Sequence, residues 1–300
     1  MSTAFAPAHI TGIFQAHRHP DPLKYGSRGA GVCLKRGVYT TVKAARALKW
    51  RVRIRINGRM THAEVSRAVV EAFKGLTSEP YELSVDHHVE VPIGAGYGSS
   101  GAGALSLALA LNDALKLNLS YSEAAQIAHV AEIECGTGLG TVLAETAGGV
   151  EIRVKPGAPG IGEVKQIPTK SDEKVISVYL GQLPTRPILK DEKVQGRLSE
   201  VSGPLMERLI NDPTLANFLA LSREFSDRLS LYTPRLANVM NELSCRYSGV
   251  FSMNMFGEAL FTLVGTEKYH ECLSTLEQVQ INPAKVIISD IEYRGARLIG

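Results

Sequence analysis

Cysteine is sparse in this chain: Cys33, Cys135, Cys245 and Cys272 are the four in 300 residues, and no two stand in a C-x-x-C pair. That spacing excludes a zinc ribbon and a disulfide framework and predicts reduced thiols. Apolar runs of membrane-spanning length are missing too; Ala104 to Leu111 comes nearest and is too short. The first ten residues lack a basic start and a long apolar core, so no signal peptide is read there and a cytoplasmic chain is expected. Neither sign of charge dominates, since 33 Lys and Arg stand against 30 Asp and Glu. No dense basic stripe interleaved with aromatics occurs, so neither nucleic acid nor a membrane is expected as a partner. Repeats and low-complexity tracts are also absent. What remains is an α+β pattern in a chain that is 44% hydrophobic, enough for a sizeable core in one large or two modest domains and compatible with a homodimer.

Glycine is what the chain does have, at 28 residues, and it gathers in three stretches that read as loops. The central one organises the rest. Val89-Glu90-Val91 is a short apolar run broken by Pro92, and Ile93-Gly94-Ala95-Gly96-Tyr97-Gly98-Ser99-Ser100-Gly101-Ala102-Gly103 follows it. Ala104 to Leu117 then reads as a helix. Strand, glycine loop and helix N-terminus together form a site for phosphate, because the unpaired N–H groups of the first turn and the positive end of the dipole face the anion. Ser99 or Ser100 is placed to cap the helix and to offer a hydroxyl to phosphate or Mg²⁺. A Walker A loop is excluded, because no Lys-Ser/Thr closes the run. Gly96-x-Gly98-x-x-Gly101 satisfies the dinucleotide fingerprint, but the second strand which that fold requires is missing. Ser120 to Glu123 instead looks like a capping box opening another helix. A purely structural glycine turn stays open as the plain alternative.

Along the chain, Ala4 to Ile10 reads as a short edge strand interrupted by Pro7, and His17 to Pro22 as a solvated loop. Lys24 to Val32 is the second glycine-rich stretch, where Ser27 and Arg28 would suit a small anion; its plain reading is a turn before a strand over Val38 to Val42. Arg51 to Ile56 alternates as a half-exposed strand, and Asn57-Gly58 signals a hairpin. His62 to Phe73 has helical spacing, and Tyr81 to Val91 reads as a strand with His87 and His88 on opposite faces. Tyr121 to Glu134 is a helix on which His129 and Glu132, three apart, share one side as either an exposed stripe or a site. The third glycine stretch, Cys135 to Thr141, follows them directly and favours the site. Val150 to Val154 is a strand, Pro156 to Gly162 a hairpin or linker, and Thr169 to Glu173 a domain boundary. Strands over Val175 to Leu180, Ala259 to Val264 and a last one over Val286 to Ile291 then frame helices from Leu198, Thr214, Pro234 and Tyr269. Met253 and Met255 are expected in the core.

Pro92-x-x-x-Gly96-x-Gly98-Ser99-Ser100 resembles the central motif of the GHMP kinase superfamily, with Tyr97, Gly101 and Ala102 departing from its commonest residues. Adding Pro7 to Gly12, Gly26 to Val32, Gly136 to Gly140, Gly148-Gly149 and Arg153 makes the chain similar to the archaeal pantoate kinase family. The resemblance implies a two-lobed GHMP kinase fold: a ribosomal protein S5 domain 2-like N-terminal lobe over residues 1–168 and an α+β C-terminal lobe over 169–300. It implies transfer of phosphate from ATP to (R)-pantoate in coenzyme A biosynthesis. Mevalonate- or homoserine-type kinases, or a catalytically impaired nucleotide-binding member, are the alternatives. By resemblance, Pro92, Gly94, Gly96, Gly98, Ser99, Ser100, Gly101 and Ala102 would hold ATP, and Glu132 with Ser100 would hold Mg²⁺. Ser27, Arg28, His129, Arg153 and Thr185 would bind substrate. Thr141 stands where the family places an aspartate, and a threonine hydroxyl is no base at neutral pH.

Overall fold

The computed structural model describes residues 1–183, 192–279 and 285–299, with the side chains of 192–195 and 285 outside the description. Its strands are β1 (Ser2–His17), β2 (Gly26–Arg46), β3 (Arg51–Ile56), β4 (Arg59–Met60), β5 (Tyr81–Val89), β6 (Val150–Lys155), β7 (Glu163–Gln166), β8 (Lys174–Gly181), β9 (Ser252–Met253), β10 (Glu258–Val264), β11 (Lys285–Asp290) and β12 (Arg297–Ile299). The described helices are α1 (Glu64–Lys74), α2 (Ser99–Leu115), α3 (Tyr121–Cys135), α4 (Thr141–Ala147), α5 (Glu192–Asn211), α6 (Leu215–Leu229), α7 (Pro234–Arg246) and α8 (Thr266–Gln278). Among them none is long and apolar enough to cross a membrane.

Two sheets form. The larger runs β12-β1-β2-β5-β3-β4, with β6 also on β2 and β7 beyond it. β2 is 21 residues long and divides one edge between two partners: Gly29–Val32 pair with β6 and Val38–Arg46 with β5. The smaller sheet runs β11-β8-β10-β9, wholly antiparallel. Its residues alternate between two cores, as a two-sided strand must. Leu260 and Ile176 pack with Leu236 and Leu243 of α7, while Phe261 and Val175 join Phe218 and Phe225 of α6 and Ile10 and Ile13 of β1. That second core seats the smaller sheet against the larger.

Several expectations change. β1 is no short edge strand; it runs sixteen residues with β2 on one side and β12 on the other. β12 covers only Thr3–Phe5, so the donor that Pro7 lacks falls outside that ladder, and the register with β2 shifts between Pro7 and Ala8. Gly26 to Val32 is strand rather than turn. Its glycines serve a face that must admit large polar side chains: a Cβ on Gly31 would collide with the His9 ring, and one on Gly29 would stand 2.6 Å from Arg153 Nη2. The strand over 286–291 is followed by another, β12. The Asn57-Gly58 hairpin forms with both residues at positive φ, 48° and 78°. The Ser120–Glu123 capping box opens α3.

α2 is apolar on nearly every side and is accordingly buried among β1, β2, α1, α3 and α4. The elements packed around it fix the helix in place while its first residues stay partly open, which is what an anion site needs.

Candidate active site

The central loop enters α2 through Gly98, which occupies the N-cap position with φ 63° and makes no side-chain cap. Neither Ser99 nor Ser100 caps the helix; they are its first two residues, and their hydroxyls stay available for other partners. A Cβ on Gly98 would stand 2.7 Å from Thr141 Cγ2 and 3.0 Å from Glu145 Oε1, so close packing and positive φ both require glycine there. Ala102 differs from its expected role. Its side chain is fully buried, and its N–H already donates to Gly98 O at 3.1 Å, the first bond of the helical ladder. The unpaired donors that an anion would meet lie before it, as helix geometry dictates. Tyr97, where the motif commonly has leucine, is buried and shares a 2.7 Å hydrogen bond with Ser177 of β8.

Two cavities meet at this loop. A pocket of about 120 Å³ reaches from Ser99 and Ser100 to Glu132, Thr141, Ser27 and Arg153. A groove of about 730 Å³ opens on the other side, lined by apolar groups such as Val38, Ile56, Val89 and Leu183. Gly94, Ser99, Ser100 and Thr137 border both. Pro92 precedes the loop and borders neither.

Glu132 projects from α3 into the small pocket. Ser100 Oγ donates to its Oε1 at 2.5 Å and Thr137 Oγ1 to the same oxygen at 2.6 Å. Oε2 lies over Gly138, where a Cβ would collide with it. Burial raises the carboxyl's pKa against these two hydrogen bonds, so a nearby cation would restore the charged form. Carboxylate and hydroxyl oxygens are the donors a hard divalent cation takes.

Arg153 lies 1% exposed at the other end. Its Nη1 donates to Glu151 Oε1 at 2.5 Å, and His9 Nε2 meets the same oxygen at 2.9 Å. Thr11 Oγ1 lies 3.3 Å from His9 Nδ1. Burial lowers the pKa of His9 against the pull of Glu151, so the ring is read as neutral, donating through Nε2. Ser27 Oγ and Arg153 Nε are both buried and without hydrogen-bond partners, and both lie against Gly140. Two unsatisfied donors on one spot point to an absent acceptor.

Other expected residues fall outside this pocket. Ser27 and Arg28 are neighbours in a strand and so face opposite sides; Arg28 Nη2 instead bonds Glu207 Oε1 at 2.8 Å. His129 is buried, with Nε2 directed at Tyr25 O (2.9 Å) and Pro22 O (3.2 Å), where it braces that segment onto α3. Thr185 lies outside the described residues. Three buried groups were not singled out beforehand: His9, Glu151 and Glu145. Glu151 and Arg153 stand two apart on β6 and so share a face, which the sequence does register; the partnership with His9 spans 142 residues and leaves no local trace.

Glu145 is fully buried one turn beyond Thr141, and no described side chain pairs with its carboxylate oxygens. Burial first, and the charge of Glu132 second, hold its pKa well above the ordinary 4.5. A proton retained in the native state and lost in the unfolded one stabilises fully below about pH 4.5; that stability is lost as pH rises toward the native value. Glu145→Gln is expected to remove this component. Denaturant melts between pH 4 and 8 should show wild-type stability falling against the variant as pH rises, and parallel profiles would refute the assignment.

Comparisons with known proteins show the family. Residues 62–149 match the GHMP kinases N-terminal domain. The pantoate kinase of Thermococcus kodakarensis is 35% identical over 93% of this chain and 92% of its own length. The pantoate kinase of Methanocaldococcus jannaschii is 33% identical over 96% of this chain and 100% of its own. A solved phosphotransferase related to the CoA biosynthesis pathway superposes with TM-score 0.88 at 32% identity, covering 99% of this chain and 98% of that one. With a family-model match across the loop and α2, and full-length relatives above 30% identity, the chain belongs to the pantoate kinase family of the GHMP kinases.

Proposed function

We propose that the protein transfers the γ-phosphate of ATP to the 4-hydroxyl of (R)-pantoate, with Mg²⁺ held by Glu132 and Ser100. The observation that carries this reading is the pair of unsatisfied donors, Arg153 Nε and Ser27 Oγ, at the end of a pocket whose other end is the phosphate loop. A carboxylate seated there matches a guanidinium edge and a hydroxyl, and a pocket of about 120 Å³ suits a small acid. The larger apolar groove suits a nucleoside, with the loop between the two. MgATP would supply the phosphoryl group and the charge that neutralises it during transfer. The chain's own part is positioning: the loop amides orient phosphate oxygens, Glu132 is oriented by two hydroxyls, and Arg153 is held by Glu151. Residues 1–168 would supply the loop-bearing lobe, joined by β12 on β1, and the rest of 169–300 the second. A coupled ADP-release assay with (R)-pantoate, mevalonate and homoserine tests the reading, which fails if pantoate is not the preferred acceptor.

Thr141 lines the pocket in place of the family's aspartate, which favours a slower enzyme. A general base contributes about 10²–10⁴-fold. Thr141→Asp is expected to raise kcat by about 10²-fold in the same assay, since the neighbouring Glu132 would push the new carboxyl toward a useful basicity. An unchanged kcat would refute that role for position 141.

A further inference from the structure

Phe256 is a bulky aromatic held at φ 63°, a left-handed conformation that favours glycine. It sits in the tight turn between β9 and β10, where Gly257 N–H donates to Asn254 O at 2.9 Å. Strain of this kind persists where the surroundings impose it, and it gathers at binding sites. Here it sets the ring against Phe14 of β1, edge to face, with centroids 5.2 Å apart and planes at 84°. Both rings border the small pocket together with Arg153 and Ser27.

The strand register fixes how these groups relate. Phe14 pairs with Gly29, and Gly29 pairs with Arg153. Residues directly opposite share a face, so Phe14 and Arg153 flank Gly29 on the same side of the sheet, two strand spacings or roughly 10 Å apart at the backbone. Because Gly29 has no side chain, the guanidinium lies across β2 toward Phe14. An acid whose carboxylate meets Arg153 and Ser27 could then turn its next carbons toward the two phenyl rings that line the same pocket.

We propose that Phe256 and Phe14 form the apolar wall that selects an acid branched between its carboxylate and its phosphorylated hydroxyl, Phe256 being the specificity-determining residue. The proposal rests on the function proposed above, whose acceptor carries two methyl groups at that carbon. Leu139 and Met255 also line the pocket, and its two other described rings, His9 and Tyr97, are engaged in hydrogen bonds to Glu151 and Ser177.

The test compares kcat/KM for (R)-pantoate and for its unbranched analogue 2,4-dihydroxybutanoate, in wild type, Phe256→Leu and Phe256→Gly. The glycine variant suits the turn's backbone and guards against simple misfolding. Wild type is expected to favour pantoate by about 10²-fold, since each methyl group in an apolar pocket is worth roughly 10-fold or more. Phe256→Gly should cut that ratio to about 10-fold or less by raising KM for pantoate, with KM for ATP unchanged, and Phe256→Leu should fall between. A merely structural role would lower both substrates alike and leave the ratio intact, which would overturn the proposal. So would a wild-type enzyme that turns over pantoate without preferring it. A wild type inert toward pantoate would overturn the functional reading and this proposal with it.

Discussion

Glu132→Gln is expected to lower kcat by about 10³-fold while leaving the folded protein no less stable. The amide keeps the shape of the side chain, and its oxygen can still accept from Ser100 and Thr137, which converge on one carboxylate oxygen at 2.5 and 2.6 Å. What it removes is the charge that would anchor the divalent cation, and single preorganised electrostatic contacts of this type are worth about 10²–10³-fold in kcat. Stability is spared because the native carboxyl is itself penalised by burial. Turnover measured against Mg²⁺ concentration, beside thermal melts, separates the two effects. A variant within tenfold of wild-type kcat at saturating Mg²⁺ would remove Glu132 from the cation site.

Arg153→Met should fail in two separable ways. The acceptor loses its cationic partner, so kcat/KM for pantoate is expected to drop about 10²–10³-fold, in line with the 2–5 kcal/mol that truncating a buried charge pair costs. The fold suffers too. Glu151 is fully buried, and removing its guanidinium leaves only His9 beside it, a loss of about 3–5 kcal/mol. Adding Glu151→Gln should restore most of that stability without restoring substrate affinity. Urea melts and steady-state kinetics on the single and double variants decide it. If the double variant recovers catalysis, Arg153 holds the strand together and does not hold the substrate.

How much of this was legible beforehand follows the range of the interactions. The Ser120–Glu123 capping box and the Asn57-Gly58 hairpin are written within a few residues, and each stands where local rules place it. A helix does follow the central loop, but it starts at Ser99 rather than Ala104 and neither serine caps it. The glycines of Gly26 to Gly31 were misread because their reason is distant. Gly29 and Gly31 clear space for Arg153 and His9, which arrive from other strands, and Gly26 for the backbone of Gly157, so a local rule that equates glycine with turns fails there. Once that segment is a strand, Ser27 and Arg28 must part company, and only one of them reaches the pocket. The buried trio of His9, Glu151 and Arg153 is likewise a product of strand register. Phe256 lies in a stretch the sequence does mark, Ser252 to Gly257, but its backbone conformation is imposed by the turn's contacts and contradicts the residue's own preference.

The packing behind the loop has a consequence for how a ligand is received. Gly257 presses against Ala95, Met255 N–H donates to Thr11 O at 3.0 Å, His9 N–H donates to Tyr97 O at 3.0 Å, and Tyr97 is tied to Ser177. A run this rich in glycine would otherwise be the most entropically expensive part of the chain to order. Here two sheets hold it from behind, so that expense is met once, when the protein folds, and an anion bound as proposed would find its donors already aimed.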